Sequence, residues 1–413
     1  MKVAIVHEWL VTRAGSEKVV EEILGLFPEA DLFTLICALP PGQADFLRGR
    51  KVTTSFLQNI WGAKTRHRLL MPLMPCAIEQ FDLSGYDLII SSSHAVAKGV
   101  ITGPDQVHLS YIHSPMRYAW DLQHTYLAES GFSRGFRSLL ARALLHYLRL
   151  WDVRTAYGPD RMIANSAYIA RRIAKAYRRE ADVVYPPIDL ANLPFGAQRE
   201  GFYLAASRMA PYKRMALIVA AFALMPQRRL VVIGDGPEMA TVRRIATPNV
   251  EILGFQDDAS LRDHMRRARA FVFAAEEDFG IMPVEAQACG APVIAFGRGG
   301  ALETVLGPDR ARSTGLFFFE QSEVAIIEAV EKFERLGARF SPENCRANAQ
   351  RFSRAVFREK FMAIVEAETA RLAPRGGEGQ GALASRPVTG PAIEQTMPAD
   401  ARKSRVATAP VRR

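Results

Sequence analysis

Cysteine is scarce in this chain of 413 residues, with only Cys37, Cys76, Cys289 and Cys345 and no CxxC or other paired spacing among them. A disulfide framework and a cysteine zinc site are therefore excluded, and a reducing compartment is expected. Long apolar runs are also missing. The longest, Met215–Met225, falls well short of the roughly 18 residues that span a bilayer. The opening M-K-V-A-I-V run is interrupted at His7 and Glu8, so it reads as a strand rather than a signal peptide. The expected setting is cytoplasmic, with at most peripheral contact with an inner membrane. No G-x-G-x-x-G follows that first strand, which disfavours a dinucleotide-dependent dehydrogenase. The net charge is +10, yet there is no zinc-finger spacing, RNP motif or aromatic–basic platform, so nucleic acid is not an expected partner. No acidic pair is well set for manganese: Asp257-Asp258 follows a strand as a solvated loop, and no metal is expected.

What is present is a repeated alternation of short apolar runs with helical periodicity. Val3–Val6, Leu32–Cys37, Leu88–Ile90 and His108–Ile112 read as strands, with a helix over Ser16–Leu26. After a polar linker from Pro186 to Glu200 the pattern restarts: strands at Phe202–Ala206, Leu230–Ile233, Val250–Leu253, Ala270–Phe273 and Val293–Phe296, and a helix at Met215–Leu224. Such alternation predicts an α/β chain of two doubly wound parallel sheets, with ligands at the carboxyl ends of the strands. The expected domains are 1–190 and 191–352, then a segment 353–373 formed by a long helix that reads over Phe352–Leu372, and a disordered tail from 374 to 413, where Gly, Ala, Pro and Ser replace periodicity.

The stretch Glu277–Glu285, E-D-F-G-I-M-P-V-E, joins a buried strand to a short helix ending near Gly290. Gly280, Ile281 and Met282 then lie at the helix start, where free N–H groups and the positive dipole end address a phosphate or sugar oxygen. Glu277 and Glu285 flank that start. Arg208 and Lys213, five apart across a strand–helix turn, supply a forked donor and a point charge for a diphosphate. Gly234 ends one strand, and Gly299-Gly300 follows another; glycine permits close backbone approach or a tight turn. Gly15 and Ser16 open the first helix as N–H donors or as a plain cap. His113 ends a strand within Y-I-H-S-P-M-R-Y-A-W-D, whereas His7, His94 and His124 read as structural.

Glu277, Phe279, Gly280 and Glu285 match the signature of retaining glycosyltransferases of family 4, which this chain resembles over about residues 1–372. The resemblance implies the GT-B architecture, two Rossmann-like domains facing across a cleft with the C-terminal helix crossing back. It implies donor contacts from Gly15, Ser16, Arg208, Lys213, Gly234, Phe279, Gly280, Ile281, Glu285, Gly299 and Gly300, and catalytic roles for Glu277, His113, Arg208 and Lys213. The run around His113 resembles bacterial mannosyltransferases of O-antigen and exopolysaccharide synthesis, implying GDP-mannose as donor and an undecaprenyl-diphosphate-linked oligosaccharide as acceptor. No cofactor beyond the nucleotide sugar is implied. A UDP-sugar donor, a nucleotide-sugar epimerase or hydrolase, and a non-catalytic carbohydrate-binding scaffold remain alternatives. One further stretch bears on the acceptor. Phe132, Phe136, Leu139, Leu140, Leu144, Tyr147, Leu148 and Trp151 recur at helical spacing with Arg134, Arg137, Arg142 and Arg149 between them. This is either a basic amphipathic helix for an anionic leaflet or a core helix with an arginine-rich outer face. Lys64–Arg68 followed by Leu69, Leu70 and Met71 forms a second such patch.

Overall fold

The computed structural model describes residues 1–370 and Leu372; the predicted tail 374–413 lies outside them. Seven strands form the first sheet: β1 (Val3–Leu10), β2 (Asp31–Cys37), β3 (Val52–Thr54), β4 (Leu88–Ser93), β5 (Val107–Ile112), β6 (Arg161–Ala164) and β7 (Asp182–Val183). Their order is β3-β2-β1-β4-β5-β6-β7, and all pairs are parallel. The second sheet holds β8 (Phe202–Ala206), β9 (Arg229–Ile233), β10 (Val250–Gly254), β11 (Ala270–Phe273), β12 (Val293–Phe296) and β13 (Gly315–Phe318), ordered β10-β9-β8-β11-β12-β13 and again parallel. In each sheet the chain winds outward from a central strand, then returns to its other side. The reversal falls between β1 and β4 and between β8 and β11, the positions where open α/β sheets bind ligands.

Two strands run further than their apolar residues. β1 continues through His7 and Glu8, and β4 through Ser91, Ser92 and Ser93, all of them buried. Polar residues stay in a buried strand only when their side chains are satisfied, and the partners of these are described below. Strands β3, β6, β7 and β13 are not among those the sequence predicts; β3, β7 and β13 lie at sheet edges.

The helix Arg354–Thr369 starts two residues later than predicted, where the Ser353 hydroxyl accepts from Val356 N at 3.3 Å as an N-cap. It packs Phe357, Phe361 and Val365 against Ile5, Leu32, Leu88 and Tyr111 of the first sheet. Arg354 and Arg358 pair with the buried Glu22 on the helix Gly15–Leu26. The described chain therefore enters the second sheet and returns to the first with the helix Arg354–Thr369.

The helix Phe136–Thr155 separates the predicted stripe into two faces. Leu148 and Trp151 are buried in the first domain, with Leu144 packed beside them, while Phe132 precedes the helix. Phe136, Leu139, Leu140, Tyr147 and Leu150 point outward and are exposed. Among the described residues no helix is long and apolar enough to cross a membrane.

Phe361 has no exposed surface. Phe361→Ala is expected to cost about 3–5 kcal/mol, read as a lowered urea midpoint by circular dichroism; a loss below about 1 kcal/mol would show that the returning helix adds little to the fold.

Candidate functional site

The donor-side loops meet where β8 and β11 diverge. After β8, Ser207–Ala210 runs into a 3-10 turn at Pro211–Lys213, and Arg214 adopts a left-handed φ of 56° before the helix Met215–Ala223. This turn aims Lys213 at Glu277, and the two side chains form an ion pair. Arg208 is exposed and donates to the Tyr212 hydroxyl at 3.1 Å. Gly280, with φ of 84°, starts the helix Ile281–Ala288. The glycine loops are tight because other loops press on them. A Cβ at Gly234 would lie 1.9 Å from the Ser207 carbonyl oxygen, and one at Gly299 2.3 Å from that of Glu277. Their freedom of φ serves loop-on-loop packing that holds Arg208 and Glu277 in place. Phe279 is 3% exposed, its ring between Tyr185 and Phe352. Its side chain belongs to the core, so a ligand can be addressed there only by backbone. Asp257 caps the helix Asp258–Arg267, accepting from Ser260 N at 2.7 Å.

The first domain closes directly onto this surface. Gly15 lies against Ile281, where an added Cβ would stand 2.8 Å from Cδ1. Lys18 on the same helix donates to Glu285 at 2.8 Å. Two helix N-termini, at Gly15 and Ile281, therefore face each other and concentrate positive potential. A second tie runs through the helix Ala167–Tyr177. The Ser166 hydroxyl donates to the Asp278 carbonyl at 2.6 Å, and both oxygens of Glu303 accept backbone N–H groups, from Ala167 and Tyr168, at 2.7 Å each. Arg117 and Arg172 pair with the Asp278 carboxylate. Asn165 Nδ2 donates to the His113 carbonyl at 3.0 Å, so His113 and the Glu277-Asp278 turn are joined through two consecutive residues.

The first domain's side of the cleft is a polar network at the ends of β1, β4 and β5. His7 pairs in register with Ser92, and Ser92 with Tyr111. His7 Nε2 lies 3.4 Å from Glu17 Oε1, and Nδ1 lies 3.2 Å from both the Ser92 carbonyl and hydroxyl oxygens. Ser92 Oγ is 2.8 Å from His113 Nε2. Glu17 Oε2 accepts from Ala14 N at 2.9 Å and from the Ser16 hydroxyl at 3.0 Å, which orders the loop ahead of the first helix. Glu8 Oε1 accepts from Ser93 Oγ and from His94, Ala95 and Ala97 N, while Oε2 faces His94 Nδ1 at 3.1 Å.

These contacts set the charges. Burial alone would lower the His7 pKa, but the hydrogen bond and charge of Glu17, with Glu8 behind it, outweigh burial and raise it. Burial likewise opposes ionisation of Glu17, and the His7 pairing overcomes this, drawing its pKa down to about 2. Burial, joined by the charges of His94 and His7, pulls His113 down to about 3. Glu17 thus favours the protonated form of His7, while His113 is neutral at pH 7. Sequence alone reads His7 and His94 as structural, gives no role to Glu8, Glu17, Lys18 or Asp278, and marks Glu303 only as the glutamate that closes the Gly299-Gly300 loop. Among the described residues no three His, Cys, Asp or Glu side chains group as metal ligands.

Residues 196–352 match the family Glycosyl transferases group 1. A D-inositol 3-phosphate glycosyltransferase of Mycobacterium leprae is 31% identical over 204 residues, which cover 43% of this chain and 47% of that protein. A GDP-mannose-dependent monoacylated alpha-(1-6)-phosphatidylinositol monomannoside mannosyltransferase of Corynebacterium glutamicum is 36% identical over 114 residues, 24% of this chain and 30% of that one. The chain spans about half or less of the length of the curated relatives it matches. Among solved structures, Anabaena Alr3699/HepE in complex with UDP-glucose aligns over 89% of this chain and 100% of its own with a TM-score of 0.64 at 18% identity. The sucrose-phosphate synthase of Thermosynechococcus elongatus aligns over 90% and 100%, with a TM-score of 0.66 at 17% identity. The fold is the two-domain GT-B architecture.

The His7–Glu17 pair makes stability depend on pH in both directions. His7, raised above 6.5, contributes stability that is complete below that value and lost as pH rises through its folded pKa. Glu17, lowered from 4.5, contributes stability that is complete above 4.5 and lost as pH falls toward about 2. Relative to a His7→Leu/Glu17→Leu variant, the urea midpoint is expected to peak between pH 4.5 and 6.5. A constant difference across that range and on both sides of it would mean that the pair carries no charge.

Proposed function

We propose that this chain is a retaining glycosyltransferase that moves a hexose, mannose from GDP-mannose, onto a lipid-linked oligosaccharide acceptor during assembly of a bacterial surface polysaccharide. The observation that carries this reading is the Lys213–Glu277 pair beside the helix start at Gly280, tied to His113 through Asn165 and Ser166, with Arg208 on the same loop as Lys213. The group 1 match over 196–352 and the mannosyltransferase relative support it. Arg208 and Lys213 would stabilise the departing nucleoside diphosphate together with the helix N-terminus, where charge develops in the transition state. The acceptor hydroxyl would attack the anomeric carbon from the leaving group's own face and pass its proton to a donor phosphate oxygen. Glu277 would hold the transferred sugar, Glu285 the ribose hydroxyls, and His113 the sugar from the first domain. Lys213 and Lys18 pair with one oxygen of Glu277 and of Glu285, and Oε2 of each has no protein hydrogen bond among the described residues. Each carboxylate thereby keeps one acceptor oxygen for a hydroxyl.

A membrane-borne acceptor suits the outward face of the helix Phe136–Thr155. Phe136, Leu139, Leu140, Tyr147 and Leu150 form an exposed apolar stripe with Arg137 and Arg142 on the same helix and no acidic residue in that helix before Asp152. The segment 61–73 adds exposed Trp61, Leu69 and Leu73 beside Lys64, Arg66 and Arg68. Leu70, Met71, Ala141 and Leu144 all pack against the same core of the first domain. Apolar side chains ringed by arginine match the surface of an anionic leaflet. The protein would then work on the cytoplasmic face of the inner membrane without spanning it.

Calorimetry with GDP, UDP, ADP and TDP tests the donor. Selective GDP binding is expected, weakened about tenfold or more in Lys213→Ala, while Glu277→Ala still binds GDP but loses transfer by about 10²-fold or more. Selective UDP binding would move the donor to a UDP-sugar, and no binding would favour a carbohydrate-binding scaffold. For the membrane contact, Leu139→Glu/Leu140→Glu is expected to abolish co-sedimentation with phosphatidylglycerol vesicles without changing the circular dichroism spectrum. Unaltered sedimentation would remove the stripe from this role.

A further inference from the structure

His7 lies where its two ring nitrogens are not interchangeable with the usual neutral tautomers. Nδ1 is 3.2 Å from the Ser92 carbonyl oxygen, which can only accept, and so must carry hydrogen. Nε2 is 3.4 Å from Glu17 Oε1, an ionised carboxylate oxygen that also only accepts. Both nitrogens are therefore donors, which is the imidazolium form. The same Nδ1–H is 3.2 Å from the Ser92 hydroxyl oxygen and occupies one of its lone pairs. The hydrogen of this fully buried hydroxyl needs an acceptor, and the remaining partner of Ser92 Oγ among the described residues is His113 Nε2 at 2.8 Å, so it is directed there. A ring nitrogen that accepts carries no hydrogen. His113 is neutral, so its hydrogen lies on Nδ1, which has no hydrogen-bond partner among the described residues, on a residue that remains partly exposed.

We infer that Glu17, His7 and Ser92 form a relay that locks His113 as the Nδ1–H tautomer and so presents a hydrogen-bond donor, never an acceptor, to an oxygen of the transferred sugar. This deepens the reading of His113 as a sugar contact and rests on it. His7 and Ser92 are positioning residues, since they act through His113. Glu17 ties the relay to the donor side, because its second oxygen holds Ala14 N and Ser16 Oγ in the loop facing Ile281. The groups that bear on His7 are Glu17 from the first helix, Glu8 on its own strand, and His94 and His113 from the loops after β4 and β5. When pH exceeds the raised pKa of His7, one of its donors is lost. The Ser92 hydroxyl is then free to turn, and the tautomer of His113 is no longer specified.

Nitrogen-15 NMR on the full chain labelled at histidine reads the tautomer directly, and the His113→Gln spectrum assigns the resonance among the eight histidines. His113 is expected to be protonated on Nδ1 alone at pH 7 and to become a tautomeric mixture in Ser92→Ala, whereas Ser92→Thr, which keeps the hydroxyl, retains the native pattern. In transfer assays Ser92→Ala is expected to lower kcat about tenfold with little change in donor KM. His7→Asn, whose amide N–H can replace Nδ1–H without titrating, should keep most of kcat and lose the alkaline limb of its pH profile. Protonation of His113 on Nε2, or an unchanged pattern in Ser92→Ala, would overturn the relay. If Ser92→Ala does not fold, His7→Leu is read in the same way, and an unchanged His113 pattern there overturns it equally. The spectrum requires no substrate, so it stands or falls separately from the choice of donor.

Discussion

Both carboxylate oxygens of Glu303 accept backbone N–H groups at the start of the helix Ala167–Tyr177, and this grip joins the two sheets. The first N–H groups of a helix have no partner within it, and the dipole adds positive charge at the same end. A carboxylate satisfies both demands, and a charge-assisted hydrogen bond is worth about 1.5–3 kcal/mol. Here the cap comes from 136 residues away in sequence. The Tyr185 hydroxyl steadies Glu303 at 3.1 Å, and Ser166 fixes the neighbouring turn by donating to the Asp278 carbonyl. The turn so held carries Glu277. Its position relative to His113 therefore follows from how one helix is capped.

A second constraint arises at the ends of the strands. β1 and β4 run past their apolar residues into a region where His7, Glu8, Ser92 and Ser93 are at most 2% exposed. An unpaired buried charge costs far more than an exposed one, so every member of such a set is placed by its partners. Glu8 illustrates this: four donors converge on one oxygen and the His94 ring faces the other. Local burial would neutralise these groups individually. In combination they hold opposite charges on His7 and Glu17 while His113, which has no carboxylate in direct contact, stays neutral.

The sheets were legible because their central strands are nearly continuous apolar runs, the pattern a parallel sheet covered on both faces imposes. Strand ends were not, since polarity normally signals a loop and His7-Glu8 and Ser91–Ser93 reverse that only through partners elsewhere. Arg208, Lys213, Glu277 and Glu285 stood out by residue type and spacing. Their controlling partners did not: Lys18 and Glu285 are 267 residues apart, and no local pattern links them. Glu17 had a local signal, the N3 carboxylate that accepts from the N-cap backbone, but Ala14 replaces the serine or threonine by which a capping box is recognised. Phe279 was read toward the ligand because its neighbours are, yet its ring joins Tyr185 and Phe352. The helix Phe136–Thr155 is apolar on two faces, and periodicity alone cannot say which of them the protein covers.

The paired charges of the cleft bear on how a diphosphate would be received. Lys213 and Lys18 belong to different domains, and each is bound to a glutamate at the Gly280 helix. A lysine ammonium has three donors, so it can keep its carboxylate and still turn toward a phosphate oxygen. The carboxylates lie 16–20% exposed, where charge is screened less than at the open surface but more than in the core. Net charge at this point stays near neutral until an anion enters, which limits the desolvation cost of two bare lysines facing two helix N-termini. Were negative charge to build on a leaving diphosphate there, the ammonium groups would turn toward it and release carboxylate oxygens for hydroxyls. The same pairs that hold the cleft together are therefore the ones a nucleotide sugar would have to redistribute, which couples donor binding to the contact between the domains.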